Sequence, residues 1–280
     1  MAKRFHFDTF EIDDHQFDYL RDLVYREAGI NLTPAKRCLV QTRIGKLMRR
    51  NGIGGYDELF HILESDKSGH ELVRVLDAIC TNHTYFFRES EHFEYLDKEI
   101  LPTIVETKKA KTIRVWSAGC SSGEEPYSLA ITLNEFLRKY DRWSFYIYAS
   151  DLSSKVLNTA KRGIYDYDEI RHLSEDIKKR YFKKGRNQFQ HLIKVKDHLT
   201  RNIRFARHNL LSKLESESNF DIIFCRNVMI YFDMDTKKRV VDRLSEKLAD
   251  NGYFITGHSE SLNMIEHNMK MEKPTIYRRI

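Results

Sequence analysis

The chain lacks the features that would place it in several large classes at once. Cysteine is scarce: its 280 residues include 4, Cys38, Cys80, Cys120 and Cys225, and no two share C-x-x-C spacing. Neither a zinc site nor a disulfide framework is indicated, and four reduced, mostly buried thiols are expected. Long apolar runs are missing as well, since nothing approaches the ~18 uninterrupted apolar residues of a membrane span. The opening residues, Met1 to Asp8, reach charged side chains before any apolar stretch of signal-peptide length. A cytoplasmic location without direct membrane insertion is therefore expected. The 12 histidines show no H-E-x-x-H or comparable ligand spacing, so no metal is assigned. There is no internal repeat and no low-complexity segment.

What is present fits an ordinary globular chain. A hydrophobic content of 41% over this length suffices for one large or two modest domains. The net charge of +6 and isoelectric point near 9.0 favour an acidic partner: nucleic acid, an anionic membrane surface or an acidic protein. The distribution of charge says more than its sum, because residues 34–51 hold six basic side chains and no acidic one.

The first 80 or so residues read as helical. Asp13 to Ala28 forms one helix closed by Gly29, and a second opens at Thr33-Pro34 and ends before Asn51-Gly52. On that second helix Val40, Ile44, Leu47 and Met48 fall within an arc of about 100°, while Lys36, Arg43, Lys46, Arg49 and Arg50 fill a separate arc of about 140°. One face packs and the other is a positive stripe. A further helix, Glu71 to Ile79, leads into residues 81–110, read as a linker.

From Lys111 the chain alternates strand, turn and helix, the pattern of a parallel sheet with crossover helices. Strands are expected at Ile113–Ser117, Phe145–Ala149, Asp221–Cys225 and Tyr253–Thr256. Helices are expected at Tyr127–Leu137, Ser154–Arg162 and Thr236–Ala249, the last closed by Asn251-Gly252. Between Ile164 and Asn219 the rhythm breaks. A short helix, Glu175–Tyr181, precedes two alternating segments, Phe189–Val195 and Asn202–Ala206, which read as an antiparallel hairpin joined through Lys196-Asp197-His198. The expected organisation is α/β: a helical domain over 1–80 and a Rossmann-like domain over 111–280, with a small antiparallel β-subdomain inserted at about 170–207.

The strongest local signal is Val115-Trp116-Ser117-Ala118-Gly119-Cys120-Ser121-Ser122-Gly123-Glu124-Glu125-Pro126-Tyr127. A strand feeds a loop with two glycines, which let a ligand approach the backbone at the carboxyl end of a parallel sheet. Its spacing is G-x-x-x-G rather than the dinucleotide G-x-G-x-x-G, and two carboxylates at the helix start would repel a pyrophosphate. A carboxylate there suits a cationic ligand group such as an ammonium or sulfonium, although an acidic first turn also stabilises a helix unaided. Asp151, after the next strand, is either a ribose acceptor or a helix cap.

Five ordered blocks together resemble the CheR family of chemotaxis receptor methyltransferases. They are Thr81-Asn82-His83-Thr84-Tyr85-Phe86-Phe87-Arg88-Glu89, Ser117 to Ser128, Ala149-Ser150-Asp151, His208-Asn209-Leu210-Leu211, and Phe224-Cys225-Arg226-Asn227-Val228-Met229-Ile230-Tyr231-Phe232. The resemblance spans nearly the whole chain. It implies a fold of three parts: a helical N-terminal domain, a Rossmann-like S-adenosylmethionine-dependent methyltransferase domain, and an inserted β-subdomain. It implies S-adenosylmethionine as cofactor and S-adenosylhomocysteine as product, held by Asn82, Thr84, Arg88, Gly119, Glu125, Asp151, Asn209, Leu210, Arg226 and Asn227. Adjacent Glu124 and Glu125 are not separable by sequence.

The implied reaction is methyl transfer to a receptor glutamate, with Arg88 and Tyr231 orienting the incoming carboxylate. The implied partner is the cytoplasmic methylation helices of chemoreceptors, met by Lys36, Arg43, Lys46, Arg49 and Arg50; a monomer is expected. Two rivals stand beside this reading. A nucleic-acid methyltransferase would carry an Asn-Pro-Pro-Tyr-like tetrad where Cys225-Arg226-Asn227-Val228 stands, so nucleic acid is not expected as partner. A non-catalytic module that senses S-adenosylmethionine would keep the pocket alone. Gly185 to Ile193 lacks the glycine-rich stretch of members that dock a receptor C-terminal peptide, so tethering is not expected.

Overall fold

The computed structural model describes residues 10–80, 82–215 and 217–280; the opening segment read above for a leader lies outside the described residues, as do Thr81 and Ser216. The chain divides into two compact units, Met1–Thr81 and Asn82–Ile280. The first contains helices α1 (Asp14–Ala28), α2 (Arg37–Asn51), α3 (Tyr56–Ser65) and α4 (His70–Ile79). A reciprocal capping box starts α1: Asp13 Oδ1 accepts from the Gln16 amide at 2.7 Å, and the Gln16 side chain accepts from the Asp13 amide at 3.2 Å. Thr33 and Pro34 open a 3₁₀ turn, Pro34–Lys36, rather than the α-helix itself, and the Thr33 side chain makes no capping bond. Helix α3 was not anticipated as a separate element.

The unit's core takes Leu20 and Val24 from α1, Val40, Ile44 and Met48 from α2, and Val75 and Leu76 from α4. The basic face of α2 is less uniform than its spacing suggests. Lys46, Arg49 and Arg50 are exposed, but the half-buried Arg43 donates to the Ile79 carbonyl and Lys36 Nζ donates to the Asn31 carbonyl at 3.1 Å. Two of the five cations therefore close helix and loop ends of their own unit.

In the second unit α5 (Ser90–Tyr95) runs through a π-helical turn into α6 (Leu101–Thr107). There follow β1 (Thr112–Ala118), α7 (Glu124–Leu137), β2 (Ser144–Asp151), α8 (Ser154–Arg162), β3 (Ile164–Asp166), α9 (Glu175–Tyr181), β4 (Phe182–Lys184) and β5 (Leu192–Val195). The chain closes with α10 (Asp197–Thr200), β6 (Ile203–Arg207), β7 (Phe220–Cys225), α11 (Met234–Glu246), β8 (Leu248–Thr256), β9 (Met269–Lys273) and β10 (Ile276–Arg279). The seven-stranded sheet has the order β6-β2-β1-β7-β8-β10-β9, and a three-stranded antiparallel sheet has the order β3-β5-β4. Strands β6, β2, β1, β7 and β8 are parallel, and β10 runs against both β8 and β9. Alternate residues of the central strands serve opposite faces. Val115 and Ile222 join one apolar layer, whereas Trp116 and Ile223 join the other.

Three sequence expectations need correction. The hairpin does not form, because Ile203–Arg207 pairs in parallel with β2 at the edge of the large sheet while Leu192–Val195 stays in the small one. Alternation marks any half-exposed strand, whether in a hairpin or at a parallel edge, so the pattern could not assign the sheet. Helix α7 begins at Glu124, which puts Pro126 inside its first turn, where no backbone donor is missed. Helix α11 ends at Glu246, and Asn251-Gly252 lies within β8 as an irregularity: Phe220 pairs with Leu248 but Ile222 pairs with Tyr253, and Asn251 takes φ 61. All four cysteines are free; Cys120 and Cys225 are buried and Cys38 is exposed.

Ile222 is fully buried at the centre of the sheet. Ile222→Ala should destabilise this unit by about 2–5 kcal/mol, whereas Met264→Ala, at a residue 84% exposed, should change stability by less than about 0.5 kcal/mol. Urea unfolding followed by tryptophan fluorescence measures both, since Trp116 and Trp143 lie in this unit. Equal losses from the two variants would contradict the packing described.

Candidate active site

Five segments meet at the carboxyl ends of β1, β2 and β7. The first is the loop after β1. Gly119 takes φ 87 and Gly123 φ 104, conformations that L side chains rarely adopt. A Cβ on Gly119 would lie 2.3 Å from Val228 Cγ2, and one on Gly123 would lie 2.8 Å from both Ala160 Cβ and the Tyr165 hydroxyl. The glycines are thus required by conformation and by close packing against this chain's own side chains. The Gly119 and Cys120 amides both donate to the Ser150 carbonyl, at 2.8 and 2.9 Å, which folds the loop back over the end of β2.

Asp151 stands at that end. Its Oδ2 accepts from the Ser121 amide and its Oδ1 from the Ser153 amide, each at 2.9 Å. The capping role is taken by Ser153, whose hydroxyl accepts from the Val156 amide of α8. The alternative reading of Asp151 as a helix cap is thereby set aside. The Asp151 carbonyl accepts from the His208 amide at 3.0 Å, bringing the block His208–Leu211 alongside. There Asn209 Oδ1 accepts from the Leu211 amide at 3.0 Å, and Leu210 is buried in the apolar layer that includes Trp116 and Tyr148.

The two adjacent glutamates separate. Glu125 Oε1 accepts from the Ser117 hydroxyl at 2.7 Å, and its Oε2 lies 3.5 Å from Arg226 Nη1. Burial pushes its carboxyl above the usual range, against the pull of Arg226 and Ser117. Glu124 turns the other way. It is 3% exposed, accepts from the Ser122 hydroxyl, and lies beside Glu169 in the turn after β3; burial raises it to about 7. Of the two, Glu125 is the one that faces Arg226, Glu89 and Arg88.

Arg226 ties the site together. It is 5% exposed, lies 3.1 Å from Glu89 Oε2, donates to the Arg88 carbonyl, and stands 5.4 Å from the Phe93 ring. Asn227 follows at φ 58 and donates to Glu89 Oε1 at 3.2 Å. Burial pushes Glu89 upward, but Arg226 and Asn227 outweigh it and hold its carboxyl below the ordinary range. Glu89, Ser117 and His92 were not assigned site roles from sequence; Glu89 and His92 meet partners 137 and 183 residues away, whereas Ser117 meets Glu125 only 8 residues on.

The remaining expected residues are placed less tightly. Arg88 donates to the His83 carbonyl at 2.9 Å and stands 5.9 Å from the Tyr85 ring. The Asn82 carbonyl accepts from the Ser121 hydroxyl at 2.8 Å. Tyr231 is half-buried in the 3₁₀ turn Met229–Tyr231, and Thr84, also half-buried, has no side-chain hydrogen bond to these groups among the described residues. One cluster escapes linear spacing rules: Glu89, His92 and His258 offer ligand atoms within 4.8 Å of one another. Burial and then the Arg226 charge depress His92 to about 3, an environment that also disfavours a bound cation.

A glycine-bearing loop after the first parallel strand, an acid at the end of the next and a charged pocket across β7 define a Rossmann-like domain built to hold a nucleoside-type cofactor. Comparison with known proteins narrows this. Residues 82–278 match the family described as CheR methyltransferase, SAM binding domain, and residues 15–80 match CheR methyltransferase, all-alpha domain. The chain belongs to the CheR methyltransferase family. It is 38% identical over 275 residues to a chemotaxis protein methyltransferase of Borreliella burgdorferi, covering 96% of this chain and 95% of that one. It is 35% identical over 268 residues to the chemotaxis protein methyltransferase of Escherichia coli, covering 95% and 91%.

Glu124 generates a pH prediction. Its carboxyl is raised to about 7 in the fold from an ordinary 4.5, so the folded state holds its proton more tightly than the unfolded chain. The stability tied to this group is fully present below pH 4.5 and is lost as pH rises towards 7. Relative to wild type, Glu124→Gln should therefore gain on the order of 3 kcal/mol between pH 5 and pH 8. Urea unfolding at several pH values measures the difference, and a pH-independent offset would show that Glu124 is ionised in the fold.

Proposed function

We propose that this protein transfers the methyl group of S-adenosylmethionine to glutamate side-chain carboxylates of chemoreceptors, as an S-adenosylmethionine-dependent protein-glutamate O-methyltransferase. The products are glutamate methyl esters and S-adenosylhomocysteine. The observation that carries the reading is the charge constellation at the sheet's carboxyl edge: Asp151, Glu125 and Glu89 against Arg226 and Arg88. Three carboxylates and two guanidiniums leave one net negative charge. That complements a cofactor bearing an ammonium, a carboxylate and a sulfonium.

The residues fit the group. Asp151, fixed by two amides, is the acceptor for the ribose hydroxyls, and Glu125 receives the ammonium. Arg88 pairs with the carboxylate, with Asn82, Thr84, Gly119, Asn209, Leu210, Arg226 and Asn227 completing the pocket. When bound, S-adenosylmethionine supplies an electrophilic methyl carbon on its sulfonium. A glutamate of ordinary pKa ~4.3 is ionised at neutral pH, so the chain needs no general base. Its residues instead align the incoming carboxylate, through Arg88 and Tyr231, and keep water from it.

The partner we assign is the cytoplasmic methylation helices of the receptors, met by the basic face of α2, with nucleic acid excluded and the protein acting as a monomer in the cytoplasm. Support comes from the exposed Lys46, Arg49 and Arg50. Among the described residues no helix is long and apolar enough to cross a membrane.

Labelled S-adenosylmethionine incubated with receptor cytoplasmic fragments, RNA and DNA should label the receptor alone, at base-labile esters. Label on nucleic acid, or on nothing despite cofactor binding, would favour one of the rival readings. Asp151→Ala should weaken S-adenosylhomocysteine by about tenfold or more, as measured by calorimetry; an unchanged affinity would remove Asp151 from the pocket.

Reversing charge at Lys46, Arg49 and Arg50 should raise the Michaelis constant for receptor at low salt and leave cofactor affinity intact. Mutant and wild type should converge as ionic strength rises, because screening weakens the attraction that the mutant lacks. Equal constants at low salt would make α2 an ordinary solvated face.

A further inference from the structure

We infer that Glu260 is a positioning residue for the Arg226–Tyr231 loop, its carboxylate holding the loop backbone in the conformation that presents Arg226, Asn227 and Tyr231 to the site. The inference rests on the functional reading above and concerns a residue outside every motif block of the sequence analysis. After β7 the chain turns sharply, with Asn227 at φ 58. That turn aims several amides at one point. Glu260 Oε2 accepts from the Asn227 amide at 2.6 Å and from the Gly257 amide at 2.9 Å, and Oε1 accepts from the Ile230 amide at 3.1 Å. Converging backbone N–H groups form an anion nest, and here the anion is supplied by the chain itself.

Glu260 is 4% exposed and Gly257 is buried with it, so the Gly257 amide left without this acceptor would be both buried and unbonded, while the Asn227 and Ile230 amides would lose the acceptor that fixes the turn. Its own backbone is pinned to the end of β8: the Glu260 amide donates to the Gly257 carbonyl at 2.9 Å, and its carbonyl accepts from the Thr256 hydroxyl at 2.9 Å. The Arg226 side chain points instead at Glu89 and Glu125, so the loop has two separate anchors, one for its guanidinium and one for its backbone.

Gly257 provides a second, independent observation. A Cβ there would fall 2.7 Å from Asn227 Nδ2, 2.8 Å from Glu260 Oε2 and 2.9 Å from the Asn227 amide nitrogen. The bridge between Glu260 and Asn227 occupies the space of a side chain. A methyl group at 257 therefore opens the bridge without altering the carboxylate. Displacement of a reacting group by about 1 Å costs on the order of a hundredfold in rate, so the loop's backbone anchor bears directly on transfer.

The test compares Glu260→Gln and Gly257→Ala with Glu217→Gln. Glu217 is also a buried carboxylate, bonded to Arg114, Arg204 and Tyr146 near the opposite end of β7, so its variant reports a structural loss away from the loop. Calorimetric affinity for S-adenosylhomocysteine and single-turnover transfer should each fall by roughly tenfold or more in the first two variants. In the same proteins without ligand, the Asn227 and Ile230 amides should lose hydrogen-exchange protection. Glu217→Gln should lower the unfolding midpoint while keeping affinity, rate and those protections within about twofold.

Wild-type affinity and protection in Glu260→Gln would overturn the proposal, as would losses that only track stability as they do in Glu217→Gln. Should Glu260→Gln fail to fold, Gly257→Ala and the wild-type amides decide, and unprotected Asn227 and Ile230 amides in wild type would refute it. A folded wild type that binds no S-adenosylhomocysteine would instead overturn the functional reading, with the amide measurement still deciding the role of Glu260.

Discussion

A guanidinium withdrawn from water at the carboxyl edge of a sheet requires anions around it, and much of the site follows from meeting that need for Arg226. Desolvating a charge of this size costs several kcal/mol, which only well-placed opposite charges and hydrogen bonds offset. Glu89 and Glu125 supply the charges from two different segments. Each is held in turn: Glu125 by the Ser117 hydroxyl, Glu89 by the Asn227 side chain and by a left-handed backbone at φ 55 just before α5. The cation thereby fixes the relative positions of β1, α5 and the loop after β7. The site is preorganised by the same contacts that stabilise the fold around it.

That arrangement explains which parts were legible in the sequence. Residues whose role is local could be read: the close of α1 at Gly29 and the span Ser154–Arg162 of α8 follow from short-range rules, and the strands through Val115 and Phe224 announce themselves as buried runs. The blocks that carry Asp151, Glu125, Arg226 and Asn227 were legible because each is a compact string at a strand end. Glu89 and Ser117 also lie inside blocks, yet their use depends on partners 137 and 8 residues away, and only the longer of those distances defeats sequence reading outright.

Misreadings arose where one signal serves two structures. Asn-Gly ends helices and also permits a bulge inside a strand, and at Asn251-Gly252 the second use won because the preceding residues were already pairing with β7. Alternation marks both hairpins and exposed sheet edges, and β6 is the latter. The basic face of α2 was read from angle alone. Angle says where a side chain leaves the helix and not which carbonyl it meets, so Arg43 and Lys36 were counted with the exposed cations although each bonds to a carbonyl of its own unit.

The small antiparallel sheet has a further consequence for modularity. Tyr165 of β3 donates to the Ser122 carbonyl at 2.7 Å, and Glu169 lies beside Glu124 beneath the glycine loop. Gly123 in turn has no room for a side chain because the Tyr165 hydroxyl and Ala160 occupy it. The insert thus forms the floor of the loop rather than an appendage. A graft that exchanged residues 164–195 would replace the Tyr165 part of that floor too, so the loop's packing against Gly123 is tied to the insert it sits on.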